Sequence, residues 1–264
     1  MCLLVLAWQC HPRFRLIVAA NRDEFHERAA AALGWWPEEP RILAGRDLRG
    51  AGTCMGTSRA GRFGVVTNFR ELERAAPEAP SRGDLVAGFL GAPAASPLAY
   101  LDSLRTRASQ YAGFNLLLGG PDSLYYHSNR DGQEPRRLER GVYGLSNHWL
   151  DSPWPKLLRS RTRLEELVAT DRVEPGTLFA LLADRTPADL DETPDTGLPP
   201  DWERALSSPF VIHDRYGTRC STVLLVGHDG RTTVLERRFD ATGALTGATR
   251  VAFTAQDDLV PQAA

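Results

Sequence analysis

Lysine is all but absent from this chain: Lys156 stands alone, and arginine supplies the rest of the positive charge. The arginines are scattered without a basic stripe, and the formal net charge is −2. A phosphate-binding surface normally shows a basic excess, so nucleic acid is not an expected partner. Cysteine is also scarce. Cys2, Cys10, Cys54 and Cys220 form no CxxC pair and no Cys/His ligand spacing, which argues against a zinc site and a disulfide framework. The histidines stand singly without an HExxH pair, so no metal is expected, and no GxxxxGK or GxGxxG loop marks a nucleotide enzyme. The apolar opening has no basic n-region, and Arg13 and Arg15 follow too soon for a signal peptide or a membrane span. The expected location is cytoplasmic.

What remains is an ordinary globular composition, with 42% hydrophobic and 24% charged residues over 264 positions. That length buries a substantial core, and one domain over residues 1–264 is expected. Apolar runs at Cys2 to Trp8 and Phe14 to Ala20, separated by Gln-Cys-His-Pro-Arg, predict an opening hairpin. Thr53 to Ser58 and Arg62 to Phe69 read as two further strands. Helices are predicted after a Ser81 cap and over Leu98 to Ala108. Strands return at Phe114 to Leu118, Leu124 to His127 and Gly141 to Leu145, with a turn at Asn129-Arg130-Asp131-Gly132. A helix from Pro155 carries Leu157, Leu158, Leu164, Leu167 and Val168, and another spans about Pro175 to Ala183. Asp184 to Asp201 is acidic and proline-rich and predicts an exposed excursion or lid. Phe210 to His213, Ser221 to Val226, Thr232 to Arg238 and Leu245 to Phe253 predict closing strands. Blocks of strands and helices in this order predict segregated layers: an α+β sandwich of two mostly antiparallel sheets flanked by helices.

Chemistry concentrates at the start. Removal of Met1 would give Cys2 both a thiol and a free α-amine, with ordinary pKa values of about 8.5 and about 7.7–8.0, so one residue supplies nucleophile and base. The same run also suits a plain buried strand. Asn21, Arg22, Asp23 and Glu24 crowd the end of the second strand, which the hairpin returns beside the start of the first. An aspartate there holds the amine, and an arginine favours the thiolate. A solvated turn with a structural ion pair is the alternative.

The segments Asn21-Arg22-Asp23-Glu24-Phe25, Leu43-Ala44-Gly45-Arg46-Asp47, Gly113-Phe114-Asn115-Leu116-Leu117, Gly144-Leu145-Ser146-Asn147, Trp154-Pro155-Lys156 and Tyr216-Gly217-Thr218-Arg219 resemble the NRDE family, also called the transport and Golgi organisation family. The match runs from Met1 to about Phe253. That family is similar to cysteine-type N-terminal nucleophile hydrolases such as penicillin V acylase and bile salt hydrolase. The resemblance implies a four-layered αββα sandwich. It places Cys2 as nucleophile and Asp23 on the new amino terminus, with Asn68 and Asn147 at the oxyanion and amine contacts. Arg219 resembles a late arginine of the site, and Asn21, Arg22 and Glu24 complete a substrate-binding cluster.

The chain departs from the hydrolases at one point. They carry an arginine three residues before the aspartate, where this chain has Ala20 and places Arg22 directly before Asp23. Neighbours on a strand point to opposite faces, so Arg22 reaches the pocket of Asp23 only if the strand has already ended. Cys54 and Cys220 take no role from the family, and Cys10, Cys54 and Cys220 read as small buried residues. The expected activity is hydrolysis of an amide or thioester in a small molecule, with no cofactor. The NRDE family is also linked to haem trafficking and to acyl-CoA or lipid metabolism. The alternative is therefore a carrier of haem or acyl-CoA, with Trp35, Trp36 and Trp154 lining its pocket.

Overall fold

The computed structural model describes residues 3–71, 76, 78–92, 94–189 and 191–255. Leu3–Trp8 (β1) and Phe14–Phe25 (β2) form the predicted hairpin, with Trp8 opposite Leu16 and Leu3 opposite Asn21. Every residue of β1 is buried. Leu4, Leu6 and Trp8 pack between two sheets, while Leu3, Val5 and Ala7 pack under helices. Coverage on both faces explains why this run lacks the alternation of a half-exposed strand.

The remaining strands are Ala30–Trp35 (β3), Ile42–Asp47 (β4), Met55–Ser58 (β5), Phe63–Asn68 (β6), Phe114–Gly119 (β7), Leu124–Ser128 (β8), Arg136–Arg137 (β9), Gly141–Leu145 (β10), Tyr216–Gly227 (β11), Arg231–Phe239 (β12) and Leu245–Thr254 (β13). One sheet runs β10-β1-β2-β11-β12-β13 and the other β3-β4-β5-β6-β7-β8-β9. The pairings are antiparallel. The helices are Gly83–Gly91 (α1), Pro97–Leu104 (α2), Pro155–Ala169 (α3), Pro175–Leu182 (α4) and Pro200–Leu206 (α5).

Three apolar clusters define the layers. Leu4, Val18 and Leu224 of the first sheet meet Leu43, Val65 and Leu117 of the second. Outside the first sheet, Val5, Ile17 and Val223 pack on Leu157, Leu164 and Leu178 of α3 and α4. Outside the second, Ile42, Val66 and Leu116 pack on Val86, Phe89 and Leu101 of α1 and α2. The molecule is thus the expected α+β, four-layered αββα sandwich.

Several local expectations shift. Residues 30–47, which carry no clear period, form β3 and β4; β3 is a half-exposed edge strand of small residues, so its pattern is weak. Phe210 to His213 contributes a lone bridge between Ile212 and Gly217 instead of a strand. Ser81 lies one residue outside the cap of α1, its hydroxyl accepting Gly83 N–H at 3.3 Å. Leu158 faces outward from α3, at 39% exposure, because its direction falls off the stripe of Leu157, Leu164 and Leu167. Among the described residues no helix is long and apolar enough to cross a membrane.

Candidate functional site

β2 continues to Phe25, so the strand has not ended at Arg22 and its alternation holds through the polar cluster. Asn21 and Asp23 therefore point toward the helices, and Arg22 toward the second sheet with Ala20. Asn21 is fully buried and donates to the Leu182 and Pro209 carbonyls, at 2.9 Å each, while its Oδ1 accepts the Ser221 hydroxyl at 2.6 Å. Asp23 is also buried, and its Oδ1 accepts the Thr218 hydroxyl at 2.7 Å. Arg22 meets Asp47 at 3.1 Å and Glu24 at 3.6 Å, and Arg28 shares Asp47 at 2.6 Å. Burial works to raise the Asp47 carboxyl. Hydrogen bonds from Arg28 and Gly50, with the charges of Arg28 and Arg22, outweigh it and hold the group below its ordinary value.

The two asparagines sit where β6 and β10 end. Asn147 donates from Nδ2 to the Asn68 carbonyl at 3.2 Å, and its own carbonyl accepts Arg70 N–H at 2.7 Å. Asn147 is buried, whereas the Asn68 side chain is exposed. Both line an open groove of about 480 Å³ together with Glu24 and the rings of Phe25, Phe69, Trp202 and Tyr216. Leu198 and Pro199 reach this groove from the proline-rich excursion and Trp202 from α5, so the excursion contributes to a wall of the groove. Asn115 and Thr67 tie down the loop on either side of Asn147, Thr67 Oγ1 donating to the Ser146 carbonyl at 3.3 Å. Asn115 Nδ2 donates to Thr67 Oγ1 at 3.2 Å and to the His148 carbonyl at 2.9 Å, and its Oδ1 accepts the Tyr126 hydroxyl at 2.8 Å. Burial pushes the Tyr126 hydroxyl up to about 12, so it remains a donor at neutral pH. The sequence signal for Asn115 was a single polar residue inside an apolar strand, which needs partners when buried.

A second cavity, of about 260 Å³, lies between the sheets and is lined by Arg22, Cys54, Arg219, Cys220, Glu236 and Arg238 among others. A bulge between Thr218 and Cys220 interrupts the β2–β11 register at Arg219, whose Nη1 donates to the Phe25 and His26 carbonyls at 3.2 and 2.9 Å. Cys54 and Cys220 are half-buried in the cavity wall, Cys54 packing against the apolar core. Burial pushes the Cys220 thiol up, which makes it a poor nucleophile. It also raises the Glu236 carboxyl above its ordinary value, although Leu33 N–H donates to Oε1 at 3.0 Å.

The expected residues thus divide. Arg22 and Arg219 face the inter-sheet cavity, while Glu24, Asn68 and Asn147 line the groove. Asn21 and Asp23 line neither and tie strands together. Cys2 lies outside the described residues. Leu3, bonded to it, sits opposite Asn21 on one side, and β10 on the other side leads from Leu145 into Ser146 and Asn147. Trp35, Trp36 and Trp154 do not line the cavity or the groove. Trp35 packs on Phe253, Trp36 in the outer core near α1, and Trp154 under α3, since their bulk fills core space.

The family model described as Transport and Golgi organisation 2 matches residues 1–241. The Transport and Golgi organization protein 2 homolog of Bos taurus is 35% identical over 257 residues, covering 90% of this chain and 92% of that protein. The Mus musculus homolog is 32% identical over the same shares. A solved structure, the Caenorhabditis elegans N-acylethanolamine-hydrolyzing acid amidase ortholog, is 9% identical with a TM-score of 0.44, covering 85% of this chain and 92% of that one.

Proposed function

This chain belongs to the Transport and Golgi organisation 2 family, and from that premise we propose that it hydrolyses an amide or thioester of a small molecule through an acyl-enzyme on Cys2. The observation that carries the reading is the setting of β1. Its first described residue, Leu3, is flanked by the Asn21-Arg22-Asp23 end of β2 and by the Ser146-Asn147 exit of β10, and Asn147 is hydrogen-bonded to Asn68. Even-numbered positions of β1 face the space between the sheets, the face on which Arg22 lies. In the proposed reaction the Cys2 sulfur attacks the carbonyl carbon, and its own α-amine takes the thiol proton and delivers it to the leaving nitrogen or sulfur. Water then cleaves the resulting thioester and frees the acid. The Asn68 amide and a backbone N–H stabilise the oxyanion, and Asp23 orients the amine. Arg22 and Arg219 offer binding groups from the inter-sheet cavity and Glu24 from the groove, while Asn21 supports them from the strand ladder through Ser221.

A second reading, a carrier of haem or acyl-CoA, is favoured by the groove, where Phe25, Phe69, Trp202 and Tyr216 suit a flat or fatty body; Arg70, paired with Glu203 at 3.0 Å, and Arg82, bonded to the Gly113 carbonyl, stand at its wall. Intact mass, labelling with a thiol-directed acyl probe and turnover of a panel of amides and thioesters test the choice. The hydrolase reading expects loss of Met1, selective labelling of Cys2 and no turnover by Cys2→Ala. Retained Met1, or haem and acyl-CoA binding with no turnover in the parent, favours the carrier.

A further inference from the structure

The inter-sheet cavity gathers four arginines, of which Arg22 pairs with Asp47 and Glu24, Arg46 with Glu38 and Arg238 with Glu236, while Arg219 makes no ion pair among the described residues. Arg22, Arg46, Arg219 and Arg238 line it against Asp47 and Glu236. Arg22 Nη1 and Arg219 Nε are buried atoms with no hydrogen bond among the described residues, Arg238 Nε has none either but lies 3.6 Å from Glu236 Oε1, and Arg22 as a whole is 9% exposed. Buried guanidinium donors are expensive to leave unmade, and these belong to three different strand positions that converge on one space. An oxygen-rich anion suits such a set of guanidinium donors. The rest of the wall is hydrocarbon from Leu33, Leu43, Leu224 and Val234. At about 260 Å³ the space falls below the roughly 300–1,000 Å³ of sites for drug-sized ligands.

We propose that this cavity is a binding site for a small amphipathic carboxylate, its head on Arg22, Arg219 and Arg238 and its apolar body against the leucine and valine wall. A planar carboxylate offers acceptor lone pairs in several directions, matching donors that arrive from separate side chains. Glu236 stands at the same wall, and its protonated form adds a hydrogen-bond donor to the ligand oxygens. The proposal specifies the binding half of the function proposed above and requires no nucleophile at Cys2.

The experiment is calorimetric titration of the full chain, as the Cys2→Ala variant, with octanoate, octyl phosphate and 1-octanol as probes. Octanoate is expected to bind with 1:1 stoichiometry and 1-octanol at least tenfold more weakly. Arg22→Gln and the more exposed Arg238→Gln are each expected to weaken octanoate about tenfold or more, the scale of one lost charged hydrogen bond. Arg238→Gln keeps the test decisive if Arg22→Gln does not fold. Absent octanoate binding, equal binding of 1-octanol, indifference to Arg238→Gln, or preference for octyl phosphate would each overturn the assignment. Because Cys2 is already removed, binding here together with no turnover in the parent sinks the hydrolase reading alone.

Discussion

Thr218 donates its hydroxyl hydrogen to Asp23 Oδ1 at 2.7 Å across the β2–β11 ladder, joining residues 195 positions apart. The same hydroxyl oxygen accepts Val211 N–H at 2.9 Å, so one side chain relays between a loop and a buried carboxylate. Thr218→Val keeps the volume and removes both bonds. It is expected to destabilise the fold by about 1–3 kcal/mol, the cost of buried groups left without a partner. A urea midpoint equal to the parent's, at unchanged slope, would refute this role.

Asp47 makes stability depend on acid. Its folded carboxyl titrates below the ordinary 3.8, so its contribution is complete above that value and is lost as pH falls through the lower folded one. Asp47→Asn should therefore cost stability at neutral pH and approach the parent curve in strong acid. Urea midpoints measured from neutral pH downward check this, and a gap that widens on acidification contradicts it.

Glu236 behaves with the opposite sign. Burial raises its folded carboxyl above the ordinary 4.5, so its favourable contribution is complete below that value and lost as pH rises through the higher folded one. Glu236→Gln imitates the protonated acid and still accepts Leu33 N–H. The variant is expected to match the parent in acid and to exceed it in stability toward neutral pH. Thermal unfolding across that range reads the difference directly.

Asn68 separates chemistry from structure, because its carbonyl holds Asn147 while its side chain is exposed in the groove. Asn68→Ala preserves the carbonyl. Under the proposed hydrolase function it should lower kcat by about 10²–10³-fold with the urea midpoint unchanged. Full turnover in that variant would remove Asn68 from the oxyanion role.

The local pattern alone settled much of this molecule. The β1–β2 hairpin, the helices from Pro155 and Pro175, and the layered order of elements follow from apolar period and turn residues, since each is fixed by contacts near in sequence. Parity along β2 likewise foretold that Arg22 and Asp23 part company if the strand continues. Whether it continues was decided by β11, whose long antiparallel pairing, resumed beyond its bulge, keeps β2 a strand as far as Phe25. The fates of Asn21 and the tryptophans, the half-open positions of Cys54 and Cys220, and the cavity bringing Glu236 beside Arg22 were decided in the same way. Each depends on which distant strand packs opposite, and residue type carries no record of that partner.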